Sequence, residues 1–115
     1  MKTGKIWGDT TCINVGAVGE THYIEFKKGG FCSIHLHERK TNLFFVISGR
    51  LKISLWPEGD DLEDVTILEA GQSTTIPVGV KHKFEGLTDG SAIEVYNLSH
   101  PGADIKRFTQ GGMKT

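Results

Sequence analysis

The sequence predicts an all-β protein, and three observations carry that prediction. Glycine accounts for 15 of the 115 residues, about 13% where roughly 7% is usual. Proline numbers only 3, so the glycine surplus serves tight turns and not a fibre or linker. Alanine, the strongest helix former, occurs 4 times, against 11 threonines and 23 valines, isoleucines and phenylalanines together. Short alternating segments also follow one another with turn residues between them, at the spacing of a sandwich or barrel. This vocabulary excludes a helical bundle.

The elements follow in order. Residues 1–19 form an N-terminal strand or extension, residues from about 20 to 108 the core of one domain, and 109–115 a frayed tail. Thr21 to Phe26 alternates and stops at Lys27-Lys28-Gly29-Gly30. Phe31 to His37 alternates again, with Ile34 and Leu36 on one face and His35 and His37 on the other. Asn42 to Ile47 is apolar on both faces and is expected to be buried on both, before Ser48-Gly49 ends it. Leu51, Ile53 and Leu55 then alternate with Lys52, Ser54 and Trp56. Pro57 to Asp64 holds five acids in eight residues. These lack the alternation and spaced final glutamate of a calcium loop, so a solvated hairpin loop is expected. Val65 to Leu68 and Gln72 to Ile76 read as strands around a turn at Gly71, and Pro77-Val78-Gly79 as a further turn. His82 to Glu85 and Ala92 to Leu98 complete the strands, before the break at His100-Pro101-Gly102.

Charge and composition close off several function classes. Thirteen basic against 14 acidic residues leave a formal charge of -1, so no nucleic-acid partner is expected. No apolar run reaches the roughly 18 residues of a membrane helix, and no signal-peptide core is visible. The expected setting is cytoplasmic, without a membrane partner. Cys12 and Cys32 are too few for a disulfide framework and lack metal-finger spacing, so both are expected as reduced packing thiols.

The most informative chemistry is the pair His35 and His37. Two residues apart on a strand, both imidazoles leave one face about 7 Å apart, which suits two ligands of one ion. A pair of surface histidines is the plain alternative for H-x-H taken alone. Its surroundings decide the matter. The glycine turn, His35, His37, Asn42 and Gly49 form one block, and Gly71, Pro77, Gly79 and His82 a second. From about Tyr23 to Val95 the chain resembles the cupin superfamily, whose motifs read G-x5-H-x-H-x3-4-E-x6-G and G-x5-P-x-G-x2-H-x3-N. The resemblance implies a single small double-stranded β-helix, a jelly-roll barrel, and three metal ligands, His35, His37 and His82. Two positions depart from the pattern. Asn42 stands at the glutamate ligand and Gly86 at the closing asparagine. Asn42 faces inward by alternation with Phe44 and Val46, so its amide oxygen is a candidate fourth ligand, with Glu38 the other candidate. One divalent transition metal is expected, with zinc, iron(II), nickel, copper and manganese all compatible with imidazole ligands.

Alternation carried around the barrel lines the pocket with Tyr23 and Glu25, Phe44 and Val46, His82 and Phe84, and with Glu94 and Tyr96. Core packing is the alternative role for Phe44, Val46 and Phe84. Tyr23 and Glu25 alternatively face solvent on an edge strand. The segments Ala92 to Asn97 and Ala103 to Phe108 are similar to the end of the sugar-phosphate isomerase-like cupins. That likeness implies Glu94 as general base and Arg107 as an anion-anchoring group, unless Asp104 and Arg107 pair to pin the tail. Catalytic roles are thus assigned to Glu94 and Tyr23, and substrate contacts to Arg107, Phe44, Phe84 and Glu25.

Three functions stay open at this level. The first is a metal-dependent enzyme, isomerase- or epimerase-like, acting on a small polar molecule such as a sugar or sugar phosphate. The second is a three-histidine iron(II) dioxygenase, because cupins that oxidise thiols also lack the glutamate ligand. The third is a module that binds a small ligand without turnover. Leu43, Phe45 and Ile47 face away from the histidines, and covering that face by a second copy predicts a homodimer.

Overall fold

A computed structural model of the chain describes residues 2–57, 62–98, 109 and 113–114. Every regular element among them is a strand. They are β1 (Lys2–Lys5), β2 (Gly8–Val15), β3 (Gly19–Phe26), β4 (Lys40–Ser48), β5 (Leu51–Trp56), β6 (Asp64–Leu68), β7 (Ser73–Ile76), β8 (Lys81–Gly86) and β9 (Gly90–Leu98). No helix among these residues is long and apolar enough to cross a membrane. Two antiparallel sheets face each other in a jelly roll, one of six strands in the order β1-β2-β3-β9-β4-β7 and one of three in the order β6-β5-β8.

Period-two alternation sets what each sheet turns inward. The larger sheet buries Ile24 and Phe26 from β3, Phe44 and Val46 from β4, and Ala92 from β9. Against them the smaller sheet packs Leu51 and Ile53 from β5, Leu68 from β6 and Phe84 from β8. Each of these side chains apart from Ala92 contributes roughly 1.5–3 kcal/mol by leaving water. Phe84 meets Phe44 edge-on at 5.7 Å between centroids and Trp7, in the β1–β2 turn, at 4.8 Å.

The cross-strand register sorts this inner face into rows. Ile76, Asn42, Tyr96 and Glu20 are successive partners across β7, β4, β9 and β3. The next row holds Thr74, Phe44, Glu94 and His22, and the one beyond it Val46, Ala92 and Ile24. One end of the face is therefore polar and titratable, and the other is apolar core.

Two expectations need correction. Asn42 to Ile47 is buried on its inner face only, because among the described residues no further layer covers the outer face of the larger sheet. Phe45 and Ile47 are accordingly exposed. Phe31 to His37 is also not a regular strand. It follows β8 through two isolated bridges, Phe31 to Glu85 and His35 to His82. From Cys32 to His35 the segment takes three steps while β8 takes two, from Phe84 to His82. The extra residue lies at Ser33-Ile34 and acts as a bulge would, breaking the ladder and turning the chain.

Two glycines explain parts of the motif pattern. Gly79 follows Pro77 with φ +79°, a left-handed turn that side chains disfavour. Gly86, where the family pattern has asparagine, is a different case. A Cβ there would sit 2.4 Å from the Lys27 carbonyl oxygen and 2.9 Å from Phe26 Cδ1. The end of β3 occupies the space that a side chain would need.

Candidate metal centre

The bulged segment delivers His35 and His37 to the polar end of the inner face, and β8 delivers His82 beneath them. One ring nitrogen from each histidine lies within 4.8 Å of the others. Ligand distances of about 2.1 Å to a first-row metal ion place two ligands at most roughly 4.2 Å apart. A small side-chain rotation closes the difference.

Backbone carbonyls orient two of the rings. His35 Nδ1 lies 2.7 Å from the Ser33 carbonyl oxygen, and His82 Nδ1 lies 2.9 Å from that of Val80. Each Nδ1–H donates to its carbonyl, which leaves each Nε2 lone pair facing the centre. His37 Nε2 is buried without a hydrogen-bond partner. Burial pushes the His82 imidazole down to about 4, and the neighbouring His35 and His37 act in the same direction. His37 is lowered as well, by burial, His35 and Lys40. Neutral imidazoles are the ligating form, so the environment favours binding a cation.

Asn42 is fully buried beside them. Its Nδ2 lies 3.4 Å from His82 Nε2 and donates to Glu94 Oε2 at 3.3 Å, while Oδ1 has no partner. A buried amide oxygen left unsatisfied costs roughly 1–3 kcal/mol, and a cation at the centre would relieve that cost. Three convergent imidazoles, an orphaned ring nitrogen and an orphaned amide oxygen fit a divalent transition ion. Glu38, the other candidate fourth ligand, is exposed and lies outside the histidine group.

Above the histidines opens a cavity of about 610 Å³, within the usual range for small-ligand sites. Glu94 and Tyr96 line it, as do Phe84, His35 and His37. Glu94 is nearly buried and its carboxyl is raised by that burial, against hydrogen bonds from Tyr96 and Asn42. The Tyr96 hydroxyl is pushed well up by burial and by Glu94, so it stays a neutral donor toward that carboxylate. Phe44 lies beneath, in the core.

The structure does not bring Tyr23 and Glu25 to this cavity. Ile24 and Phe26 take the inward positions of β3, so their neighbours face outward, and Glu25 pairs with Lys2 at 3.4 Å on the surface. The assignment is displaced by one residue, which moves a strand's whole side-chain set to the other face. Glu20 and His22 line the cavity instead. Trp7, Lys5 and Ile6 from the β1–β2 hairpin line it too, and no periodicity in that stretch announced them. Cys32 is a free thiol in the wall, accepts the Phe84 N–H at 3.3 Å, and is raised by burial. Arg107 and Asp104 lie outside the described residues.

Comparison with known proteins bears on this geometry. Residues 22–98 match the family of the cupin domain. The chain is 32% identical over 110 residues to the xanthan biosynthesis protein XanB of Xanthomonas campestris, covering 93% of this chain and 22% of that protein. It is 29% identical over 105 residues to the alginate biosynthesis protein AlgA of Pseudomonas fluorescens, covering 89% and 20%. A mannose-1-phosphate guanylyltransferase of Salmonella montevideo is 32% identical over 106 residues, covering 90% and 21%. The chain thus spans about a fifth of the length of these relatives. Among solved structures, KdgF from Halomonas sp. superposes with a TM-score of 0.73 at 18% identity, covering 87% of this chain and 89% of that one. The oxalate decarboxylase of Bacillus subtilis does so with 0.75 at 13% identity, covering 85% and 27%.

Proposed function

The chain belongs to the cupin family, and we propose that it is a metal-dependent enzyme that isomerises or epimerises a small polar substrate of carbohydrate type, such as a sugar phosphate. One observation carries this reading. The three-histidine group opens into a cavity whose wall holds a nearly buried carboxyl, Glu94, with the Tyr96 hydroxyl against it. Two of the relatives named above take part in polysaccharide biosynthesis, and the third transfers a guanylyl group to a mannose phosphate. That supports a carbohydrate substrate.

His35, His37 and His82, with Asn42 beside them, would hold a divalent ion, which when bound would supply Lewis-acid polarisation of a carbonyl oxygen. The protein's own groups do the rest. Glu94, whose carboxyl burial raises above the ordinary glutamate range, is placed in the cavity wall to exchange a proton with the substrate oxygen. Tyr96 holds that carboxyl in place through its hydroxyl. Phe84 and Trp7 pack edge-on to form an apolar wall that keeps water from one side of the cavity. Arg107, from outside the described residues, is the proposed anchor for a phosphate.

The test uses protein purified without a histidine tag and loaded in turn with manganese, zinc, nickel or iron(II). Aldose–ketose interconversion of hexose phosphates is expected, together with its loss in Glu94→Gln at unchanged metal content. Asn42 at the carboxylate ligand's place favours a second reading, an iron(II) dioxygenase with a three-histidine site. Oxygen uptake on a thiol or diketone panel with iron(II), and none of the isomerisation, would establish that reading instead. A ligand-induced thermal shift without any turnover would make the protein a binding module.

A further inference from the structure

We propose that His22, held by Glu20, is a second proton-transfer residue of this cavity, working on the carbon-bound proton while Glu94 serves the substrate oxygens. The proposal rests on the isomerase reading above. It starts from a pair that the core does not need. β3 turns Glu20, His22, Ile24 and Phe26 inward, and Ile24 and Phe26 fill the core, as inward positions ordinarily do. His22 and Glu20 sit at the polar end of the same face and line the cavity.

His22 is not among the histidines that group as metal ligands. Its Nε2 lies 3.5 Å from Glu20 Oε2, with the imidazole side chain only 19% exposed. Tyr96 packs edge-on against the ring at 5.7 Å between centroids. In the ladder His22 is the direct partner of Glu94, and Glu20 of Tyr96. Directly opposed residues have their Cβ atoms about 4.5–5.5 Å apart, so the imidazole and the Glu94 carboxyl stand side by side on one wall. Nε2 is the ring nitrogen beside the Glu20 carboxylate, so the proton is assigned there and the lone pair to Nδ1, and the Tyr96 contact limits how far the ring can turn.

Moving a carbonyl between adjacent carbons requires one proton to leave a carbon and one to reach its neighbour, with two oxygens exchanging protons in parallel. Two proton carriers on one wall meet that need. His22 Nδ1 takes the proton from the carbon next to the carbonyl, and the C–H electron pair becomes the C=C bond of an enediol. The carbonyl π pair moves onto oxygen, which takes a proton from Glu94. The Glu94 carboxylate then removes the proton of the neighbouring hydroxyl, whose oxygen becomes the new carbonyl. The imidazolium returns its proton to the former carbonyl carbon. Both carriers end as they began, and no oxidant or reductant is consumed. Glu20 is a positioning residue, acting through the imidazole.

Metal-loaded protein in D2O with mannose 6-phosphate, glucose 6-phosphate or fructose 6-phosphate, followed by proton NMR, tests the assignment. His22→Gln is expected to lose about 100-fold or more in both interconversion and deuterium incorporation at carbon, the usual worth of a positioned acid–base group. Its metal content, melting temperature and KM should stay close to wild type. Glu20→Gln should show a smaller loss in kcat. A His22→Gln rate within about threefold of wild type would overturn the proposal and leave the isomerase reading standing. A second measurement needs no substrate. In metal-free protein, 15N-labelled histidine spectra at alkaline pH should show His22 as the Nε2–H tautomer, becoming mixed in Glu20→Gln. An Nδ1–H tautomer in wild type overturns the proposal alone. A wild type inactive on every sugar phosphate with every metal overturns the isomerase reading and the assigned step with it.

Discussion

His82 ties the centre's chemistry to stability. It is fully buried, and burial holds its pKa near 4, against 6.5 for the free residue. Between those values the unfolded chain binds a proton that the folded, metal-free chain refuses. Stability is therefore complete above pH 6.5 and is lost as pH falls toward 4, by a total on the order of 3 kcal/mol. Glu94, whose folded pKa is raised, works with the opposite sign, contributing stability at low pH that is lost as pH rises. The two are separated by subtraction. Urea unfolding of metal-free wild type and His82→Gln at pH 7, 5.5 and 4.5 should show the wild type losing ground to the variant as pH falls. A constant difference would contradict the burial account. Gly86 makes a second prediction at this scale. Gly86→Asn restores the family's motif residue, yet the Lys27 carbonyl and Phe26 ring stand where its Cβ would go. The variant should lose roughly 1–3 kcal/mol, the usual cost of overpacking, measured as a fall in melting temperature. The grouping of His35, His37 and His82 was legible because the spacing of the two motifs carries it. Tyr23 and Glu25 were misplaced because the apolar pair Ile24 and Phe26, on the opposite face of the same alternation, takes the inward side of β3.

At the scale of elements, the centre draws its groups from three places: the bulged segment before β4, β4 itself, and β8 in the opposite sheet. An ion held by the three histidines would belong to the smaller sheet's side, and only ligation by Asn42 of β4 would tie it to the larger sheet. Loading manganese or zinc at 100 times its dissociation constant should stabilise the fold by about 2.7 kcal/mol. A scanning-calorimetry melting point should rise on loading and return to its starting value on chelation. An unchanged melting point with metal bound would mean that the ion binds the unfolded chain as tightly as the folded one. The strands from β4 to β9 were readable because alternation and glycine turns coincide there. The β1–β2 hairpin was only a nominal extension, since Lys2 to Lys5 is exposed throughout and carries no period. The bulge at Ser33-Ile34 had no sequence mark at all, because alternation of Ile34 and Leu36 with the two histidines continues across it.

At the scale of the whole molecule, the outer face of the larger sheet carries Phe45 and Ile47 on a central strand, both exposed. Covering that face by a second copy remains the expectation for this protein. Light scattering at micromolar concentration should return twice the 12.6 kDa chain mass, and Phe45→Lys with Ile47→Lys should return the monomer mass with the fold intact. A wild-type monomer would dismiss the dimer. The jelly roll itself was legible only through the resemblance of the two motifs to the cupin pattern, whose histidines meet here side by side at the His35–His82 bridge.

The bulged segment is joined to the rest of the fold by few bonds. Residues 30–37 are tied to the chain after β7 mainly through backbone bonds at Gly30, Cys32, His35 and His37. His35 and His37 therefore sit on a strip held to β8 outside the regular ladders of both sheets, and its amides are expected to exchange hydrogen faster than those of the core strands.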